Sequence, residues 1–388
     1  MNSVLMNLSE EHQTLAETVQ DFANRVIAPV AAQHDREQSF PYEVIKQMGK
    51  MGLFGLPFPE EVGGMGGDFL SLCLAIEELA RVDQSVAITL EASVGLAAMP
   101  IFRAGTAEQK EKFLPPLISG EALGAFGLTE PEGGSDASQL RTTARLENDE
   151  WVINGAKTFI TNSGTSITSL VIVACITGSN PDGTKELSTI IVPSGTPGFT
   201  VEPSYFKVGW HASDTHGLSF SDVHVPASNL LGERGRGYAN FLHALDEGRI
   251  AIAALGVGAA QGCLDESLRY AKQRKAFGKN IGEHQSIAFK IAEMEARTHV
   301  ARLAYYHAAH LLAAGKDFKT EASIAKLIAS EAAMDNARAA TQIFGGYGFI
   351  DEFPVARHYR DSKILEIGEG TSEVQKILIA RSLGLKAE

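Results

Sequence analysis

Cysteine is scarce. The 388 residues hold three, Cys73, Cys175 and Cys263, with no CxxC spacing among them. Such a set builds neither a disulfide framework nor a zinc ribbon, so reduced, buried thiols and no metal site are expected. Long apolar runs are short as well: the stretch Ile250 to Ala260 is about half of what a membrane-spanning helix needs. The N-terminus carries Glu10 and Glu11 and lacks the basic-then-apolar pattern of a secretory signal, so a soluble, intracellular protein is expected. Basic residues are outnumbered, 34 Lys+Arg against 47 Asp+Glu, for a net charge of −13. No general field then attracts nucleic acid or anionic lipid, and an anionic ligand must be held by local groups. Also missing are GxxxxGK(S/T), HExxH, GxSxG and an EF-hand loop, so P-loop NTPases, zincins and α/β-hydrolases all lose support. What remains is an ordinary folded composition, 44% hydrophobic and 21% charged, long enough for two or three domains.

The periodicity changes twice along the chain. Ser9 is a candidate N-cap for a helix reaching about His34, with Leu15, Val19, Phe22 and Val26 on one face and Pro29 bending or ending it. After the loop containing Gly63 to Gly67, the runs Phe69 to Ala80 and Val86 to Met99 predict nearly all-apolar buried helices, in which Glu91 is an odd polar residue. Ala107 to Ile118 predicts a shorter one. From about Ala122 to Leu231 the pattern is β: Trp151 to Ile153 and Lys157 to Ile160 flank Asn154-Gly155, a hairpin signal, and Ser169 to Ile176, Ser188 to Val192 and Leu218 to Val225 read as further strands. Without helical crossovers this domain is expected to be antiparallel. Helical spacing then returns to the end, with helices over Ile287 to Leu312, Thr320 to Phe344 and Ile364 to Arg381, the last interrupted by Gly368 and Gly370. The expected fold is α+β and multidomain: an N-terminal all-α domain (1–121), a middle antiparallel β-domain (122–231) and a C-terminal helical bundle (232–388).

Three segments bear on chemistry. Gly256, Gly258 and Gly262 loosely mimic a dinucleotide fingerprint, but they stand in a helical run with no strand before it, so close helix packing is the better reading. Phe126 to Asp136 (FGLTEPEGGSD) is a turn-forming stretch whose backbone N–H groups and hydroxyls suit a ligand edge, and equally suit a plain connector. In Arg360 to Gln375 (RDSKILEIGEGTSEVQ), Glu369 lies between two glycines on a break between helices, where a carboxylate suits a general base or simply meets solvent. Arg249, heading an apolar helix, is either its charge partner or an exposed arginine.

Four blocks, LTEPEGGSD from Leu128, KTFITN from Lys157, YAKQRKAFGKNIGEHQSIAFK from Tyr270, and QIFGGYGF through RDSKILEIGEGTSEVQ from Gln342, together resemble the acyl-CoA dehydrogenase family of flavoenzymes over nearly the whole chain. The resemblance implies the same three-domain fold, FAD as cofactor, a homo-oligomer, typically a tetramer, and an electron-transfer flavoprotein as electron acceptor. It implies that Phe126, Leu128, Thr129, Gly134, Ser135, Phe159, Ile160 and Thr161 border the flavin. Arg274, Phe277, Gln285, Gln342, Gly345, Gly346, Thr371 and Glu373 would hold the pyrophosphate and adenosine parts, partly across a subunit interface. Glu369 matches the catalytic base, and Ser135, Tyr238, Asp246, Glu247, Gly248, Arg249 and Gly370 the acyl-CoA contacts. Some relatives take their base from the helix here beginning at Asp246; that position is Gly248, with Glu247 a neighbouring decoy. Gly368, Phe159 and His211 depart from the tyrosine, tryptophan and arginine common at those places. The implied reaction is α,β-dehydrogenation of a short or short-branched acyl-CoA to a trans-2-enoyl-CoA. An acyl-CoA oxidase and a non-catalytic flavin-binding relative are the alternatives. The expected place is the cytoplasm for a bacterial chain, or the mitochondrial matrix for a processed eukaryotic one, with no nucleic-acid partner and no membrane insertion.

Overall fold

The structure, a computed structural model, describes residues 8–136 and 139–387, without the side chains of 238–242. Helix α1 (Glu10–Phe22) starts where predicted, with the Ser9 hydroxyl accepting the His12 N–H at 3.1 Å. A π-helical stretch, Ala23–Ile27, absorbs Pro29 at the head of α2 (Ala28–Glu37), so the proline shifts the helix without ending it. Helices α3 (Tyr42–Lys50), α4 (Phe69–Ala80), α5 (Gln84–Glu91), α6 (Met99–Ala104) and α7 (Ala107–Ile118) complete the N-terminal lobe. Capping boxes fix two of these starts, Asp68 with Ser71 and Thr106 with Gln109. Helices α5 and α6 run on through a second π-helical stretch, Ala92–Ala98. The continuous rod Gln84–Ala104 is long and apolar enough to cross a membrane, a longer apolar run than the sequence reading found. Yet 89% of its most apolar window is buried inside the fold, as a core helix.

The middle of the chain forms strands β1 (Leu123–Gly127), β2 (Thr143–Glu147), β3 (Glu150–Thr161), β4 (Thr168–Ser179), β5 (Lys185–Pro193), β6 (Phe199–Ser204), β7 (Thr215–Pro226) and β8 (Leu230–Leu231). They run in the order β6-β7-β3-β2-β4-β5-β8, with β1 beside β4. Most pairs are antiparallel as expected; β1–β4 and the short β2–β4 contact are parallel, because β1 enters from α7 alongside β4 with the β2–β3 hairpin looping between them. That hairpin does not turn at Asn154-Gly155. It turns at Asn148-Asp149, both in the left-handed region (φ 49° and 66°), where short Asn and Asp side chains are tolerated. Gly155 instead marks a bulge within β3, where a side chain would strike Thr142. Trp151, Val171, Val173, Ile190, Val192, Leu218 and Phe220 form this region's own core.

Helices α8 (Gly237–Gln273), α9 (Gln285–Ala313), α10 (Lys319–Phe344), α11 (Pro354–Ser362) and α12 (Ser372–Ser382) make the C-terminal bundle. Arg249 therefore lies inside α8 and not at its head, because the helix begins at Gly237, before the apolar run. Glycines let α8 pack close: a β-carbon on Gly256 would lie 2.9 Å from the Ala329 carbonyl oxygen, and one on Gly258 2.8 Å from the Ala80 β-carbon. The glycine run serves helix packing, as its setting predicted. The same apolar core joins α4, α8, α9 and α10, through Leu72, Ile76, Leu255, Val257, Tyr305 and Ala329. The three cysteines are buried and unpaired, and no cluster suited to a metal ion occurs among the described residues.

Candidate active site

The turn between α11 and α12 is built to present one carboxylate. Glu369 adopts φ 54°, a left-handed backbone costly for a residue with a β-carbon, between Gly368 and Gly370 (φ 84°). Two buried donors hold that conformation. Lys326, fully buried on α10, donates from Nζ to the carbonyls of Leu365 and Gly370, both at 2.7 Å. Gln375 Nε2 donates to the carbonyls of Glu369 and Gly370 at 3.2 and 2.9 Å. Thr371 caps α12, its hydroxyl accepting the Val374 N–H.

Among the described residues, one oxygen of the side chain so presented has no hydrogen-bond partner: Glu369 Oε2, which is buried. It faces Gly248 on α8, where a methyl group would lie 3.1 Å from it. Burial pushes the Glu369 carboxyl above its ordinary range, against the opposing charges of Arg249 and Lys326. Burial in turn pulls the Lys326 ammonium down to about 8, although Glu369 favours its charged form. Arg249 makes its own ion pair with Asp246, its neighbour one turn earlier, and keeps Nε unpartnered. Glu247 is held through Oε2 by Arg103 at 2.5 Å, while its Oε1, 3.4 Å from His243, has no hydrogen-bond partner. Glu247 thus has an arginine bonded to its carboxylate, and Glu369 has no such ion pair among the described residues.

A second buried ion pair braces the loop after β1. Lys157 Nζ donates to Glu130 Oε1 at 2.7 Å and to the Leu128 carbonyl at 3.0 Å, while Glu130 accepts the N–H groups of Arg141 and Thr142. Burial would raise the Glu130 carboxyl, but Lys157 and Thr142 hold it below the usual range. The Thr158 N–H bonds the Thr129 carbonyl at 2.9 Å, and Gly134 packs against the Thr129 methyl group. Ser135 is exposed on this loop. Phe159, at φ 61° on a register shift of β3, turns its ring out to 64% exposure beside Tyr205, while Ile160 is buried and Thr161 half-buried. Phe126 borders a smaller cavity of about 160 Å³ with Met99, Arg103 and His243.

Arg274, Gly345 and Gly346 line a cavity of about 450 Å³ with Tyr270, Phe344 and Tyr347, and the Arg274 guanidinium stands 5.8 Å over the Tyr347 ring. A β-carbon on Gly345 or Gly346 would meet nothing within 4 Å, so both backbones are open. Phe277, Gln285, Gln342 and Glu373 stand exposed on this single chain, Phe277 at 96% and in the left-handed region. The Tyr238 side chain lies outside the described residues. Folding thus gathers Glu369 with Gly248, Gly370 and Arg249, and Arg274 with Gly345 and Gly346. The sequence reading passed over Lys326, although a lysine on the apolar stripe of Ala322, Ala325 and Ala329 was a visible signal.

Descriptions of a known family match the chain in three consecutive parts: the acyl-CoA dehydrogenase N-terminal domain over 9–121, the middle domain over 125–223 and the C-terminal domain over 235–384. The chain belongs to the acyl-CoA dehydrogenase family. Among its relatives, a probable acyl-CoA dehydrogenase of Bacillus subtilis is 48% identical, over 97% of this chain and 98% of that one. A short-chain-specific acyl-CoA dehydrogenase of Clostridium acetobutylicum is 42% identical over 96% and 98%. The three-dimensional structure of butyryl-CoA dehydrogenase from Megasphaera elsdenii superposes with a TM-score of 0.94 at 44% identity, covering 98% of this chain and 99% of that one. A chain from a structure concerning the electron transferring flavoprotein of Acidaminococcus fermentans also gives 0.94, at 41% identity and full coverage of both chains. The chain is accordingly an oxidoreductase of the flavoprotein type, acting on acyl-CoA thioesters.

Proposed function

We propose that this acyl-CoA dehydrogenase converts a short-chain acyl-CoA, straight or branched, to its trans-2-enoyl-CoA, with Glu369 as the base and FAD as the cofactor. The observation that carries the reading is the orphaned Glu369 Oε2, buried, unpartnered and mounted on a strained turn that Lys326 and Gln375 hold in place. A buried acid left without a partner costs stability unless a ligand uses it.

The residues fit FAD. The open Gly345 and Gly346 backbones and the Arg274 guanidinium in the 450 Å³ cavity suit a pyrophosphate and its adenosine. The loop of Leu128, Thr129, Gly134 and Ser135 with Phe159 to Thr161 suits a flavin edge, and Phe277, Gln285 and Gln342 stand ready for a neighbouring subunit's cofactor, in keeping with a homotetramer. Bound FAD would accept the hydride from the β-carbon and pass electrons on singly, to an electron-transfer flavoprotein in this reading.

This chain's own part is proton transfer and exclusion of water. Glu369 takes the α-proton, and its raised affinity for protons makes it a stronger base than a solvated carboxylate. The charges of Arg249 and Lys326 favour its ionised form, and the Glu369 backbone N–H, at the left-handed turn, is a candidate donor for the thioester oxygen. Asp246 fixes Arg249 from one turn earlier in α8. The short-chain preference is supported by the names of several relatives.

Anaerobic mixing of holoenzyme with butyryl-CoA tests the base. Glu369→Gln is expected to keep FAD and bind acyl-CoA while bleaching of the flavin band slows by about 10³-fold or more. Undiminished bleaching in that variant would overturn the assignment.

A further inference from the structure

Glu91 ends α5, directly before the π-helical stretch, and is wholly buried with neither carboxyl oxygen hydrogen-bonded within the protein. Two glycines make its niche. A methyl group on Gly95, one turn along the same rod, would lie 3.1 Å from Glu91 Oε1, and one on Gly248 would lie 3.7 Å from that oxygen and 3.1 Å from Glu369 Oε2. Glu91 Oε1 and Glu369 Oε2 therefore face the same glycine of α8, and a group that meets one lies within a few bonds of the other.

Among the described residues, no counter-ion pairs with Glu91. Burial, and then the charge of Glu369, push the Glu91 carboxyl well above its ordinary range and so favour the neutral acid. Such an acid offers one O–H donor and a carbonyl acceptor. Leaving both unmet in the core costs free energy that a leucine of similar size would not.

Resting on the reading of Glu369 as the base, we propose that Glu91 forms the far wall of the acyl subsite and selects acyl groups carrying a neutral hydrogen-bonding substituent, a hydroxyl or amide, at the γ-carbon or beyond. The reaction itself sets that limit. The α- and β-carbons each surrender a hydrogen, so a polar atom has to be carried further out. With the α-carbon at Glu369, the chain continues past Gly248 toward Glu91. A hydroxyl there both donates to and accepts from the acid, which answers both of its orphaned oxygens.

The test compares two thioesters of matched size, 4-hydroxybutyryl-CoA and pentanoyl-CoA, on the FAD-loaded enzyme, reading kcat/KM with an artificial electron acceptor and the rate of anaerobic flavin bleaching. The wild type is expected to favour the hydroxylated substrate by about tenfold or more, the worth of one well-made buried hydrogen bond. Glu91→Leu is expected to invert that preference, and Glu91→Gln, whose amide also donates and accepts, to keep part of it. A wild type that favours pentanoyl-CoA, or a ratio that Glu91→Leu leaves unchanged, overturns the proposal. Should the leucine variant fail to hold FAD, the wild-type ratio and Glu91→Gln decide alone. Glu369→Gln, run beside them, separates the two readings: loss of bleaching with both thioesters keeps the base in place even where the preference is absent.

Discussion

Two buried glutamates of the N-terminal lobe, Glu77 and Glu91, sit in the same helical layer and are treated in opposite ways. Glu77 on α4 has all it needs: Arg302 Nε bonds its Oε1 at 2.8 Å, the Tyr305 hydroxyl donates to its Oε2, and the guanidinium is shared with Gln261 at 2.9 Å. Glu91 on α5 has no partner, and neither does the free oxygen of Glu369 across Gly248. The first arrangement joins α4 to α9 and is complete without any ligand. The second is complete only when something else enters. On the proposed reading, the missing hydrogen-bond partners mark Glu91 and Glu369 as acids that meet substrate, whereas the complete set at Glu77 marks an architectural one.

The contrast can be broken from either side. The largest effect is expected at the unsatisfied end, in the loss of flavin bleaching in Glu369→Gln described above. Next comes Lys326→Met, which strips the donors from the Leu365 and Gly370 carbonyls. Bleaching by butyryl-CoA should slow by about 10–100-fold with FAD retained, and by less in Lys326→Arg. On the satisfied side, Glu77→Leu leaves the Arg302 guanidinium buried without its counter-charge. The midpoint of thermal unfolding should fall by several degrees while the bleaching rate per bound flavin stays near wild type.

A pH series sharpens the comparison further. A base whose carboxyl is raised is active only when ionised, so bleaching should increase with pH through a midpoint above the ~4.3 of a solvated glutamate. A midpoint at or below that value would contradict the buried setting of Glu369. The smallest effect is expected in Glu91→Leu, which removes two unmet polar atoms at little change in volume. Thermal stability should hold or rise by a degree or two, the opposite sign to Glu77→Leu.

Much of this was legible in the letters. Phe69–Ala80 and Ala107–Ile118 came out to the residue, because apolar spacing and the capping residues before them agree. The hairpin at Asn148-Asp149 was missed because Asn154-Gly155, six residues on, carries the stronger turn signature, and only pairing with β7 reveals that Gly155 lies inside a strand. The two π-helical stretches have no periodicity signal of their own. Glu369 was found through its flanking glycines and the family resemblance, whereas Lys326 was not, since its targets are main-chain carbonyls 39 and 44 residues away that no side-chain pattern encodes. Glu91 stood out as polar in an apolar run, but the meaning of that oddity needed the approach of α8.

The wide turn at Ala92–Ala98 has a consequence for how such a pocket changes over generations. A helix that carries an extra residue in its winding can lose it and tighten to ordinary α-helix, with the turns on either side kept in place. Losing one codon there would leave Glu91 beside Gly248 and change only the side chains of the turn that follows it, with both ends of the rod still anchored. A buried helix of this kind can then absorb an insertion or a deletion while the niche beside Gly248 stays intact.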